Sequence, residues 1–184
     1  MELCLTSSPF KTKLVKHDGS RNPERVLQWR FKMPQSLSKV YIHIVFSTKD
    51  RVPFLKDDNL REEMYAYLSG ACKNLGSQSL QIGGAIDHVH IICTLSRKNT
   101  IADLVRDLKK GSSKWVKSKE SPFLTDFQWQ SGYGVFSVSP SHLNSLKKYI
   151  ANQTEHHTRE TFKDELRRLL RKYNVEYDER YVWD

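Results

Sequence analysis

The sequence predicts an α+β domain: a four-stranded antiparallel sheet built in the order β-α-β-β-α-β, with additional C-terminal helices. Three observations carry this. Short alternating apolar runs fall at 39–47, 80–86, 88–95 and 127–139, each of strand length. Between them, 57–74 and 100–119 repeat apolar residues every three to four positions, as a helix with one buried face does. Beyond residue 139 only helical spacing returns until the tail. This succession is the ferredoxin-like arrangement, which sets both helices on one sheet face and leaves the other available for a site. RRM-type nucleic-acid modules share it, so the order of elements does not by itself choose a function.

At 184 residues, with 38% apolar content, four Trp, eight Tyr and eight Phe, the chain is long enough and apolar enough for one well-cored domain. Thirty Lys and Arg against 21 Asp and Glu leave +9, which favours a polyanionic partner. Residues 1–32 hold seven basic and three acidic residues, or +4 of that charge, without sustained periodicity. They read as a flexible leader outside the domain, with Met33 as an alternative start, and the domain is placed at 33–184. Cys4, Cys72 and Cys93 lack CxxC spacing, which argues against a disulfide framework and a zinc knuckle. No apolar run approaches the roughly 20 residues that span a bilayer, and no secretory signal stands out, so a reducing cytoplasm is expected.

In the first strand, Val40, Ile42, Ile44 and Phe46 alternate with Tyr41, His43, Val45 and Ser47. His43 reads as a structural or surface histidine unless its strand neighbours the later histidine strand. The first helix, 57–74, buries Leu60, Met64, Tyr65, Leu68 and Cys72, with Gly76 just past its end. Gly83 and Gly84 in the second strand mark a bulge or a place where another backbone or a ligand comes close. A turn near Asp87 then feeds the strand His88-Val89-His90-Ile91-Ile92-Cys93-Thr94-Leu95. Its core face is Val89, Ile91, Cys93 and Leu95. Its other face carries two imidazoles side by side, suited to one metal ion or one phosphate, although ordinary cross-strand histidines produce the same pattern.

The second helix, 100–119, is capped by Thr100 and buries Ile101, Leu104, Val105, Leu108 and Trp115. Its polar positions are rich in base. Arg106, Lys109, Lys110 and Lys114 are candidate phosphate contacts, in preference to a merely solvated face. Trp129 and Tyr133 are candidates to stack on a base, with burial as their ordinary fate. Ser139 and Pro140 open a helix running to about 158 along Leu143, Leu146 and Ile150, and 162–173 forms another on Phe162, Leu166, Leu169 and Leu170. The tail aromatics Tyr177, Tyr181 and Trp183 are expected to dock on the domain or on a partner subunit. Tyr149 and Gln153, four apart, share one helix face, flanked by Lys147 and Lys148 and anchored by Ile150. A free tyrosine titrates at about 10 and is protonated at neutral pH, and a nearby cation, a metal or Lys147 or Lys148, favours its phenolate. His17, His142 and the His156-His157 pair have weaker claims on a role.

Asp87-His88-Val89-His90, then Trp129-Gln130-Ser131-Gly132-Tyr133-Gly134, then Tyr149-Ile150-x-x-Gln153 together resemble the small single-tyrosine HUH transposases of bacterial insertion sequences. REP-associated tyrosine transposases are close relatives of that group. The resemblance covers residues 33–184. It implies that His88 and His90 bind Mg²⁺ or Mn²⁺, that Gln153 completes the protein ligand set, and that Tyr149 is the nucleophile. It also implies attack on single-stranded DNA recognised through a hairpin, a 5′-phosphotyrosine with a freed 3′ hydroxyl, and a homodimer in which the Tyr helix of one subunit can complete the other's site. Lys147 and Lys148 join the candidate DNA contacts. A non-catalytic RRM-like binding module is the reading from another class. It lacks the aromatic and glycine pattern of an RNA-stacking strand and leaves the coincidence of His88, His90, Tyr149 and Gln153 unexplained.

Overall fold

The computed structural model describes residues 37–153 and 161–183; the leader and the boundary at 33 lie outside them. Strands β1 (Tyr41–Ser47), β2 (Ser79–Gly84), β3 (His88–Thr94) and β4 (Gly134–Val138) form one sheet in the order β2-β3-β1-β4, every neighbouring pair antiparallel. This is the expected ferredoxin-like order. Because β1 lies beside β3, the neighbour condition attached to His43 is met, with His43 opposite Ile92 and Val45 opposite His90.

The first sheet face holds the main core. Ile42, Ile44 and Phe46 of β1 and Val89, Ile91 and Cys93 of β3 meet helices α1 (Asp58–Asn74) and α2 (Ile101–Lys117). Each helix starts on a side-chain cap that satisfies an otherwise orphaned amide: Asp57 accepts from Leu60 N at 2.7 Å, and Thr100 from Asp103 N at 3.1 Å. A single turn, α3 (Pro122–Thr125), leads to Phe127 and Trp129, which pack edge-on with each other. Trp129 also meets Phe46 edge-on, and its Nε1 donates to Ser112 Oγ at 2.9 Å. Trp129 is therefore a core residue, whereas Tyr133 is exposed.

The second face, expected to be available for a site, carries the C-terminal helices. Helix α4 (Leu143–Ala151) lies against β2, and α5 (Phe162–Lys172) covers β1 and β4. The physical reason is that this face is itself apolar: Val45 and Phe136 cluster with Phe162, Leu166, Leu169 and Leu170. Tyr173, Tyr177, Val182 and Trp183 pack against the same cluster, so the tail docks on its own domain, with Tyr181 exposed.

Gly83 fixes where α4 sits. A Cβ built there would lie 2.5 Å from Ile150 O and 2.8 Å from Ile150 Cγ2, so only a residue without a side chain admits the helix backbone. At Gly84 a Cβ would lie 2.2 Å from His88 O. The glycine pair thus marks a close backbone approach, and a register irregularity falls between Ser79 and Gln81. Ile150, fully buried, anchors the helix as expected. The helix starts later than its periodicity suggests and is interrupted at Asn152, with Gln153 helical again. A 3-10 turn at Pro140–His142 precedes it, Ser139 makes no capping bond, and Asn152 leaves helical geometry at φ −99°, ψ 18°. Asparagine competes for the backbone and favours such ends. The rest of the expected helix, 154–158, lies outside the described residues, as do His156, His157 and His17.

Candidate active site

The gap between α4 and α5, over the middle of β3, gathers side chains from all three elements. Strand alternation places His88 and His90 there, both buried. Each imidazole is oriented through its Nδ1: His88 by the Asp87 carboxylate at 2.7 Å, His90 by His43 Nε2 at 3.0 Å. Burial, and then the neighbouring His90, pull His43 down to about 3, which keeps it neutral. A neutral His43 with its Nε2 lone pair towards His90 accepts from His90 Nδ1–H, and that tautomer leaves the His90 Nε2 lone pair facing inward. His43 is thus an orienting residue, not a ligand.

Both Nε2 atoms face Glu165. From α5, its Oε1 lies 3.3 Å from His90 Nε2 and its Oε2 3.8 Å from His88 Nε2. Gln153 Nε2 donates to Glu165 Oε1 at 3.0 Å, and the Tyr149 hydroxyl donates to the same oxygen. Arg168, one turn before the end of α5, donates from Nη2 to Tyr149 Oη at 2.8 Å. The Tyr149 ring stands perpendicular to His90, with centroids 6.4 Å apart. Tyr149, His88, His90 and Gln153, proposed from sequence, are therefore brought together within one chain. Burial, and after it the hydrogen bond and charge of Glu165, push Tyr149 up to about 12, while Arg168 pulls the other way. The cation beside the tyrosine comes from α5, not from Lys147 or Lys148.

The donor set suits a hard divalent cation. One atom from each of His88, His90 and Glu165 lies within 4.8 Å of the other two, and all three residues are buried. His90 Nε2 and Gln153 Oε1, both buried, have no hydrogen-bond partner among the described residues. Two imidazoles, a carboxylate and an amide oxygen match the preferences of Mg²⁺ or Mn²⁺, and a 2+ ion would offset the buried carboxylate.

Glu165 is a site residue that sequence reasoning missed, although a signal existed. It occupies an inward position between Phe162 and Leu169 on an otherwise apolar stripe, and an acid at such a position is rarely buried without a partner. The candidate DNA contacts on α2 are not at this site, because α2 lies on the opposite sheet face. Lys109 Nζ donates to the carbonyls of Gln130, Ser131 and Gly132 at 2.8, 3.1 and 2.7 Å, which fixes the loop into β4. Arg106 pairs with Asp103 and Asp107, and Lys110 and Lys114 are exposed. Lys147 is half-buried and Lys148 exposed on α4.

No helix among the described residues is long and apolar enough to cross a membrane. No curated protein matches the chain. Among solved structures, a Deinococcus radiodurans R1 protein provisionally assigned as a transposase superposes with a TM-score of 0.52 at 23% identity, over 67% of this chain and 97% of that one. A REP-associated tyrosine transposase bound to a REP hairpin superposes with a TM-score of 0.51 at 14% identity, over 83% of this chain and 93% of that one. At these identities the two structures speak for the fold. The family is given by the sequence: residues 36–153 match the family described as "Transposase IS200 like", so the chain belongs to the IS200-like transposases.

Proposed function

We propose that this transposase cuts and rejoins single-stranded DNA by transesterification through Tyr149. The observation that carries the reading is the hydroxyl of Tyr149, hydrogen-bonded to Glu165 at the edge of the buried His88–His90–Glu165 group. His88, His90 and Glu165 would hold the ion, with Gln153 Oε1 as a further donor from beside them. Bound there, Mg²⁺ or Mn²⁺ supplies Lewis-acid polarisation of the scissile phosphate and charge for the departing oxygen. The chain's own residues do the rest. Asp87 and His43 hold the imidazoles in orientation, Glu165 aligns the phenol and lies on the path of its proton, and Arg168 balances charge at Oη.

In the reaction, the Tyr149 Oη–P bond forms as the P–O3′ bond breaks. The phenol proton leaves along its hydrogen bond to Glu165, and the 3′ oxygen departs as a hydroxyl after taking a proton from water. The covalent link conserves the phosphoester, so a second DNA hydroxyl reseals the strand without ATP. The REP hairpin held by the structural neighbour supports a hairpin-bearing single strand as the substrate, and the same chemistry would serve repeats in a host genome. Within one chain Tyr149 lies beside His90, which supports a site built from a single protomer, and a homodimer would bring two such sites to the DNA ends.

The test is cleavage of single-stranded oligonucleotides spanning the DNA that flanks the protein's own coding sequence, with Mg²⁺, Mn²⁺ or EDTA. Metal-dependent cleavage of the single strand, absent from the duplex and from Tyr149→Phe, is expected. Binding without cleavage under any metal, by folded protein, would favour the RRM-like reading instead.

A further inference from the structure

A cleft of about 480 Å³ opens beside Tyr149, bordered by Arg168, Lys172, His142, Ser139 and Ser145. None of these side chains takes part in holding the metal. Arg168 and Lys172 are one turn apart on α5, both exposed, and about 6 Å apart along the helix axis. Arg168 is the better placed: its Nη2 is 2.8 Å from Tyr149 Oη, and its guanidinium carbon lies 5.6 Å from the ring centroid.

We propose that Arg168 is a catalytic residue that binds the non-bridging oxygens of the phosphate as it becomes joined to Tyr149, with Lys172 holding a neighbouring backbone phosphate of the same strand in the cleft. The inference rests on Tyr149 being the nucleophile. A phosphorus bonded to Oη carries its non-bridging oxygens two bonds from Oη, within hydrogen-bond reach of a donor already at 2.8 Å from that atom. The guanidinium fork suits two oxygens of one phosphate, and its charge meets the negative charge that accumulates there in the transition state. Glu165 and Arg168 approach the same hydroxyl from one helix, three residues apart. The carboxylate receives the proton that Oη gives up, and the guanidinium receives the phosphate that Oη takes on. Lys172, a point charge one turn further along, suits attraction to the backbone rather than discrimination of a transition state.

The experiment uses the full chain with Mn²⁺ and a single-stranded oligonucleotide that the wild type cleaves, made with either a phosphate or a neutral methylphosphonate at the scissile position. Wild type, Arg168→Ala and Lys172→Ala are compared for rate of protein–DNA adduct formation and for DNA affinity across salt concentrations. Arg168→Ala is expected to slow adduct formation by about 100-fold or more while changing affinity by less than about threefold. It is also expected to reduce the penalty that the methylphosphonate imposes on the wild type, because part of the charge removed is the part Arg168 recognises, the rest being that met by the ion. Lys172→Ala is expected to weaken binding and lower the salt slope with a smaller effect on the rate at saturation. An adduct rate within about threefold of wild type in Arg168→Ala, or an undiminished methylphosphonate penalty, overturns the role of Arg168. Failure of the wild type to form any adduct overturns the function itself and this inference with it.

Discussion

Substitution of Gly83 by alanine should inactivate the enzyme from a position that pairs with His90 through its backbone but offers no side chain to the site. The added Cβ would meet Ile150 O at 2.5 Å, against an ordinary contact of 3.4 Å or more, so α4 must retreat by 3.4 − 2.5 = 0.9 Å or β2 must buckle by as much. Neither partner is the far end of a flexible side chain, because the clash is with backbone and with the buried Ile150. Overpacking of this kind costs about 1–3 kcal/mol of stability. Tyr149 precedes Ile150 in the helix, so its hydroxyl moves with the backbone, and a misplacement of about 1 Å can cost about 100-fold in rate. The assay pairs thermal unfolding with the rate of adduct formation on single-stranded DNA. Gly70→Ala in α1 is the control, since nothing lies within 4 Å of a Cβ there, and a helical Gly→Ala exchange should stabilise by about 0.5–1 kcal/mol. A folded Gly83→Ala protein that reacts at the wild-type rate would refute the idea that this contact sets the position of Tyr149.

The remaining expectations concern the groups behind the site. His43 stays neutral to about pH 3 in the folded chain and titrates near 6.5 in the unfolded one, so the unfolded state binds more protons and stability falls as pH drops from 6.5 towards 3. In EDTA, this makes wild type lose about 2 kcal/mol between pH 7 and 5 that His43→Phe retains; parallel pH profiles from denaturant unfolding would contradict it. Mn²⁺ at 100 times its dissociation constant should stabilise the wild type by about 2.7 kcal/mol, an effect sharply reduced in Glu165→Gln and absent from His88→Ala/His90→Ala by thermal shift. Lys109→Met should destabilise by roughly 1–3 kcal/mol, because three carbonyls of the loop into β4 lose their donor, and should leave DNA affinity close to wild type. A large affinity loss with unchanged stability would restore Lys109 as a phosphate contact.

Local periodicity made part of the fold and site legible in the sequence. The alternation through His88–Thr94 determines which face the histidines share, and the glycines at 83 and 84 signal a close approach without naming the helix that makes it. The four-residue spacing of Tyr149 and Gln153 survives in space although α4 ends at Ala151, since both side chains meet Glu165. Glu165, Arg168 and His43 needed tertiary information. The role of His43 depends on β1 pairing with β3, those of Glu165 and Arg168 on α5 folding back across β1 and β4, and nothing local to 162–172 says which strand an amphipathic helix will cover. Arg168 looks from sequence like one of several solvated bases on that helix. On the lysine-rich face of α2, which charge density marked, pairing and loop contacts use Arg106 and Lys109 while Lys110 and Lys114 stay exposed, and the helix lies across the sheet from Tyr149.

Catalysis through Tyr149 stands or falls on the chemical identity of the covalent link. Protein incubated with Mn²⁺ and its single-stranded substrate is digested with nuclease and then protease, and the nucleotide-bearing peptide is sequenced by mass spectrometry. The expected product is a nucleotide joined through phosphate to Tyr149, in the peptide around Lys148-Tyr149-Ile150, dependent on His88 and His90. A phosphate linked to another residue, or strand cleavage by the folded, metal-loaded enzyme with no covalent link, would contradict it.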